Sequence, residues 1–363
     1  MSEIKNFLYA VSLLIGTIIG VGIFGIPYVA AQAGFGIALI YLIGLGILIL
    51  LVHLFYAEII LKTSGKHRLV GYTEKYLGKR AKYLAGCASI IGRLGALLAY
   101  IIVSGYFLST LFNRGSSFFW SLIFFFIGSF LIFLGLKAVA QVELIMVFFL
   151  LTAMLSIFIF AWPKVEFSNL TPINLSNLFL PYGVVLFSLG GATAIPEMRE
   201  IVQRKKLKLA VILGTLIPVI LFIVFTGIVL GASGSQTTEE ALAGLKDILG
   251  KKVMLIGLVF GILALMTSFL TIGLNLKKIF WYDYKLNKHL AWVLVCFIPL
   301  SAYLIGLRDF ISVIGIIGAL MGGISGIIIC LIYKKLKKSW FLPGLVIGIL
   351  ILGIFWEFWR TIN

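Results

Sequence analysis

The chain has 363 residues, 61% of them hydrophobic and only 12% charged, with a formal net charge of +17; its mean hydropathy is +1.15. A soluble core has no use for that much apolar surface, and recurring runs of about 20 apolar residues exclude a set of soluble domains in favour of one polytopic helical bundle. Cys87, Cys296 and Cys330 are scattered through apolar segments without metal-ligand or disulfide spacing, so all three are expected to be ordinary buried residues.

Taken in chain order, apolar spans are expected at 6–33, 36–61, 83–112, 117–136, 139–162, 177–201, 208–231, 252–280, 289–307, 309–333 and 339–359. The whole of 1–363 reads as one transmembrane domain, and eleven helices put its termini on opposite sides. The first run follows only Lys5 and ends at Pro27 and Gly34 with no small-residue cleavage site, so it reads as a span and not as a cleaved leader. Between the second and third spans, 71–83 is basic and amphipathic and is expected to lie along the membrane surface. Between the seventh and eighth, Thr237 and Glu240 have capping-box spacing, which predicts a short helix over 237–250.

Lysine and arginine sort by side. Twenty-two fall on the side of the N-terminus, seven on the other, and Arg93 alone stands within a span. That bias places the N-terminus in the cytoplasm and the C-terminus outside a plasma membrane. The positive charge is thus a topology signal and a contact for anionic lipid, and no nucleic-acid partner is expected.

Two spans are interrupted. Gly16, Gly20, Gly22 and Gly25 with Pro27 break the first, and Gly190, Gly191 and Pro196 break the sixth. Aligning the two Ile-Pro pairs lays "GVGIFGIP" (20–27) over "LGGATAIP" (189–196) and puts Gly22 on Gly191. Five helices separate the two, so the second unit enters from the opposite face: an inverted repeat of about 6–162 and about 177–334, with an extra helix at about 339–359. Interrupted segments at matching places in two halves point to a transporter binding site. Backbone freed in lipid costs several kcal/mol unless it is buried in protein or lines a wet cavity. Each break also creates a helix N-terminus suited to a carboxylate and a C-terminus whose carbonyls suit a cation, a pairing that fits the zwitterion of an α-amino acid. Both prolines are expected in the first turn of a restarted helix, where the missing N–H costs nothing. The plainer alternative is that these glycines only allow close helix packing, as the Gly16–Gly20 pair would.

"GTIIGVGIFGIPYVAAQAGF", "GALLAYIIVSG", "GYTEKYLG" and "FSLGGATAIPEMREI" followed by "KKLKLAVILGTLIP" resemble the amino acid/auxin permease family of the amino acid–polyamine–organocation superfamily. The similarity runs over most of the chain and is specific for family, not for substrate. It implies an all-α, leucine-transporter-type fold with discontinuous helices 1 and 6, and alternating access. Carried over by motif, the N–H groups of Val21 and Gly22 would hold the substrate carboxylate, beside Gly20 as a further substrate-binding position, and carbonyls near Ile18 and Gly190 would take its ammonium. Phe187 would lie over the substrate, with Ser188 and Gly191 lining the pocket.

In the eighth span, Ala264, Thr267, Ser268 and Thr271 share one helix face. The resemblance implies a sodium site of Ala264, Thr267 and Ser268 with Gly16 and Ile19, oxygen ligands of the kind a hard cation takes; the alternative is hydroxyls bonding back to their own helix. No cofactor is expected beyond that coupling ion. Proton-coupled relatives can carry a lysine on the fifth helix, and Lys137 stands only at its cytoplasmic start. Ionisable groups at membrane depth are functional candidates, so Arg93 is expected to face Glu197 or Glu58 as an inner gate, with a structural ion pair that does no gating as the alternative. His53 reads as a packed, hydrogen-bonded histidine.

These observations point to a secondary transporter of neutral amino acids and not to an enzyme. Apolar pocket walls and the room left by Gly190 and Gly191 favour aromatic or branched substrates, taken up with Na+ or H+. The rival readings are an uncoupled amino-acid or amine exchanger and an amino-acid sensor that binds without transport. No nucleotide-binding motif supports an ATP-driven pump.

Overall fold

A computed structural model describes residues 3–65, 67–135, 139–338 and 340–362, and these are helical throughout with no strand among them. The first apolar segment is two helices, α1 (Glu3–Ile18) and α2 (Gly22–Ala33), bent by 51° across Ile19–Val21. Gly34 joins α2 to α3 (Phe35–Lys62) with φ at +106°, and a Cβ there would lie 3.0 Å from the Cα of Ile173. Only glycine meets both conditions at so sharp a corner.

The basic surface helix is α4 (Leu69–Leu77), shorter than expected because Gly78, at φ +89°, ends it. From there α5 (Lys79–Phe112) begins four residues ahead of the predicted boundary. α6 (Ser117–Leu134) is capped by Ser116, whose hydroxyl accepts the Phe119 N–H at 3.2 Å. α7 (Val139–Ala161) follows; Lys137 lies outside the described residues.

The sixth segment is also divided, into α8 (Leu180–Ser188) and α9 (Ile195–Ile201) with a 3₁₀ turn over Ala192–Ala194. α10 (Leu207–Ser233) is continuous. The short helix expected over 237–250 forms only in its second half, as a 3₁₀ turn over Ala243–Leu245 running into helix from Lys246 up to the break at Gly250, and not from Thr237. The Thr237 hydroxyl instead donates back to the Gly234 carbonyl at 2.7 Å and meets Ser233 Oγ at 2.7 Å, which turns it toward the preceding turn. Regular helix resumes only with α11 (Lys246–Lys278), itself interrupted at Gly250.

α12 (Lys288–Leu304) precedes α13 (Phe310–Ile316), a π-helical turn over Ile317–Gly322, α14 (Gly323–Lys337) and α15 (Phe341–Ile362). Among the described residues, seven helices are long and apolar enough to cross a bilayer, and eight when α1 and α2 count as one bent span. α8 and α9 each fall short because the break divides them.

Polar side chains tie the bundle where helices cross. His53 Nδ1 and Thr215 Oγ1 are 2.9 Å apart between α3 and α10, at 1% and 0% exposure; His53 is the packed, bonded histidine the sequence suggested. A Thr215→Val variant strands the imidazole in an apolar contact and is expected to cost about 1–3 kcal/mol, read as a lower melting temperature of the purified protein in detergent. At the end of α6 the carbonyls of Ile132 and Phe133 accept Lys277 Nζ of α11 at 2.9 and 3.2 Å, which closes orphan carbonyls at a helix C-terminus. Cys296 and Cys330 are buried as expected, but Cys87 is exposed on α5.

Candidate functional site

The two breaks face each other. At the first, Ile19 N–H still bonds the Ile15 carbonyl at 2.8 Å, and Gly20 N–H turns back onto Ile18 at 2.9 Å. α2 restarts at Gly22 with Val21 as its N-cap; Phe24 N–H bonds the Val21 carbonyl at 3.2 Å, and the Gly22 and Ile23 N–H groups precede any intrahelical acceptor. At the second, Gly190 N–H bonds the Phe187 carbonyl at 3.1 Å and Ala194 N–H the Gly191 carbonyl at 3.0 Å.

The glycines set how closely the breaks approach. A Cβ on Gly22 would collide with Ser188 Oγ and lie 2.9 Å from Ser188 Cα and 3.0 Å from the Phe187 ring. Reciprocally, one on Gly191 would lie 2.6 Å from Ile18 Cγ1 and 2.8 Å from Leu14 Cδ1. The aligned pair Gly22 and Gly191 thus packs each break against the other.

The prolines differ. Pro196 stands in the first turn of α9, as expected, but Pro27 stands in the second turn of α2. Its missing N–H therefore leaves the Ile23 carbonyl without its usual donor, where the sequence had placed the proline before any bond was due.

A cavity of about 320 Å³ opens where the breaks meet, near the small end of the roughly 300–1,000 Å³ typical of small-molecule sites. Ile18, Gly20, Val21, Gly22, Phe187, Ser188, Gly190 and Gly191 all line it. Ser188 commits its hydroxyl to the Val184 carbonyl at 2.7 Å, so it offers the cavity a lone pair and not a proton. Tyr100 of α5, not singled out from the sequence, also faces in: a Cβ on Gly20 would lie 2.8 Å from its hydroxyl. A phenol in the middle of a long apolar span was the available signal.

The cavity is one-sided. It follows Leu13 and Thr17 down α1, and Ser325 and Ile329 down α14, whereas α2 contributes only Gly22. On the other side of the breaks α2 is closely packed against its neighbours. Gly25 sits against Phe310, Ile311 and Ile314, and Phe24 meets Phe107 edge-on at 5.0 Å.

The five residues of the expected sodium site stand differently toward the cavity. Gly16 and Ser268 line the cavity; Ile19, Ala264 and Thr267 do not, and Thr267 Oγ1 donates to the Ala264 carbonyl at 3.0 Å. The back-bonding alternative thus describes the Thr267 hydroxyl, whose remaining lone pair is still available.

The expected gate is also arranged differently. Arg93 and Glu197 line the same cavity, but Arg93 Nη1 donates to the Ser89 carbonyl at 2.9 Å and pairs with neither Glu197 nor Glu58. Glu197 lies 3.7 Å from Arg68. Glu58 is off the cavity and holds Lys62 at 3.7 Å, Lys337 at 3.1 Å and Lys208, tying α3, α10 and α14 together. Charge alone could not name these partners, because the basic loops supply closer cations than Arg93.

The fold is similar to that of MhsT crystallised with L-phenylalanine, at a TM-score of 0.73 and 17% identity over 98% of this chain and 99% of that one. A tyrosine-specific transport system (system 1) of Haemophilus influenzae is 27% identical over 289 residues, covering 73% of this chain and 70% of the relative. A glutamine transporter (transporter 2) of Aliivibrio fischeri is 23% identical over 85% of this chain and 84% of its own length. The tryptophan/tyrosine permease family model matches residues 3–347. With its broken helices enclosing a cavity in a leucine-transporter-type bundle, this integral membrane protein is an amino acid transporter and not an enzyme, and it belongs to the tryptophan/tyrosine permease family.

Proposed function

We propose that the protein is a secondary active transporter of neutral amino acids, aromatic ones first, in the plasma membrane with its N-terminus in the cytoplasm. The observation that carries this reading is the mutual packing of the two breaks at Gly22 and Gly191 around one cavity. Free N–H groups at the start of α2 are suited to the carboxylate, and carbonyls at Ile18 and Gly190 to the ammonium. Largely apolar walls and the ring of Phe187 suit an aromatic side chain. Relatives named for tyrosine and a fold neighbour crystallised with phenylalanine support that choice.

The architecture in this reading is eleven spans, with 6–162 and 177–334 as the inverted repeats and α15 added. The cavity then opens toward the cytoplasm and the packed side of α2 is the closed outer gate, the inward-facing arm of alternating access. Transport is proposed as symport with Na+ or H+.

The test is uptake of a labelled amino-acid panel by purified protein in liposomes, under a sodium gradient, a proton gradient or neither. Tyrosine, phenylalanine or tryptophan should accumulate under one gradient and only equilibrate without it. Accumulation unaffected by either gradient overturns symport, and no flux of any aromatic amino acid overturns the substrate assignment.

A further inference from the structure

The cavity has two polar tiers. In the first, at the breaks, the Tyr100 hydroxyl lies over Gly20, and Ser268 faces in from α11. Arg93 precedes Tyr100 by seven residues and Asn275 follows Ser268 by seven, and both line the same cavity. Seven residues are two helical turns, so each returns to its partner's face about 10 Å along the axis.

α5 and α11 run antiparallel: Gly261 packs on Phe107 near one end and Gly86 on Tyr284 Oη near the other. The two displacements therefore point the same way, toward the end where α9 contributes Glu197 to the cavity wall. An arginine, an asparagine and a glutamate thus form a second ring of polar groups about 10 Å from the breaks.

Arg93 and Glu197 feel each other's charge across the cavity without forming an ion pair. The Arg93 guanidinium holds only the Ser89 carbonyl and has no carboxylate within ion-pair distance among the described residues. A guanidinium in a largely apolar cavity is costly to maintain, and its planar fork matches a carboxylate. The Glu197 carboxylate has Arg68 at 3.7 Å but remains 44% exposed, so its oxygens are open to a further cation. One zwitterionic head group cannot span 10 Å, so groups at the breaks and groups in this ring cannot serve the same carboxylate at once.

We propose that the inner ring is a second amino-acid site on the route between the breaks and the cavity mouth, resting on the transport reading above. Arg93 takes the α-carboxylate as it leaves the N–H groups of α2, and Asn275 with Glu197 takes the ammonium. Because the site lies beyond the breaks on the open side, it acts on substrate entering or leaving by that side. It is a relay, in place of the Arg93–Glu197 gate expected from sequence.

The experiment measures half-saturation for L-tyrosine separately from the two faces of the protein in oriented liposomes. Arg93→Gln should raise the value at the cavity-mouth face on the order of tenfold, the loss of one charge-assisted pair, and the value at the opposite face far less. Arg93→Lys should recover part of that loss, and Asn275→Ala should produce a smaller shift at the same face. If Arg93→Gln does not fold, Arg93→Lys and Asn275→Ala still carry the comparison. An inner-to-outer ratio unchanged in every folded variant overturns the second site, as does an equal rate change from both faces, which is what a gate would give. Wild-type protein that moves no tyrosine from either face fails the transport reading itself, a distinct result.

Discussion

Gly22→Leu is expected to abolish amino-acid uptake and to weaken binding more than a hundredfold. The glycine has no room for any side chain: its Cβ would collide with Ser188 Oγ and lie 2.9 Å from Ser188 Cα, a backbone atom that cannot step aside. The substitution therefore does not simply plug the carboxylate position. It forces α2 away from α8, and the N–H groups at the start of α2 lose their alignment with the second break. Two charge-assisted hydrogen bonds at about 1.5–3 kcal/mol each amount to roughly 3–6 kcal/mol, which is over a hundredfold in affinity. Overpacking of this kind also costs about 1–3 kcal/mol of stability, so the protein should remain folded with a lower melting temperature. Binding of labelled tyrosine to purified protein, beside a thermal melt, separates the two effects.

Arg360→Leu is expected to be the most destabilising single change outside the site. Arg360 donates to Glu357 on α15, and Glu357 is 1% exposed whereas the arginine side chain is 28% exposed. The pair sits directly over Gly315: a Cβ there would lie 3.0 Å from Glu357 Oε1 and 3.3 Å from Arg360 Nη2. Gly315 in turn abuts Gly183 of α8, where a Cβ would come within 2.8 Å of the Gly315 Cα. A line of contact therefore runs from α15 through the end of α13 to the helix that carries Phe187 and Ser188. Removing the cation from a buried carboxylate typically costs about 3–5 kcal/mol. Glu357→Gln should cost less, because the longer, partly exposed arginine can turn outward to water or head groups. Melting temperatures of the two variants in the same detergent check the order; a smaller loss for Arg360→Leu than for Glu357→Gln would refute it.

Much of the fold was legible because membrane helices announce themselves by length and composition. The breaks were legible for the same reason inverted: glycine and proline where lipid tolerates neither freely. What the sequence misplaced depends on register and partner choice. Pro27 was assigned to a first turn by analogy with Pro196, yet α2 starts early enough to put it in the second. Thr237 had capping-box spacing, but Ser233 and Gly234 lay closer to its hydroxyl than any forward turn.

In the site, the residues at the breaks were readable from their alignment, while those on other helices were not. Tyr100 is marked only as a phenol in a long apolar span, and Arg93 could be seen as out of place without revealing that Arg68 lies 3.7 Å from Glu197. Arg360 was counted only as an external charge, because nothing in "WEFWR" says that the glutamate is buried and the arginine is its partner. Partner choice is tertiary, and spacing along one helix cannot supply it.

The central claim is that backbone N–H groups at the first break hold the carboxylate of an amino acid. The most direct test is competition against labelled L-tyrosine binding to the purified wild-type protein by L-phenylalanine and by tyramine, which keeps the phenol ring and the amine but has no carboxylate. Phenylalanine should compete in the range of tyrosine itself, and tyramine at least about a hundredfold more weakly. Tyramine competing as well as tyrosine would contradict the claim.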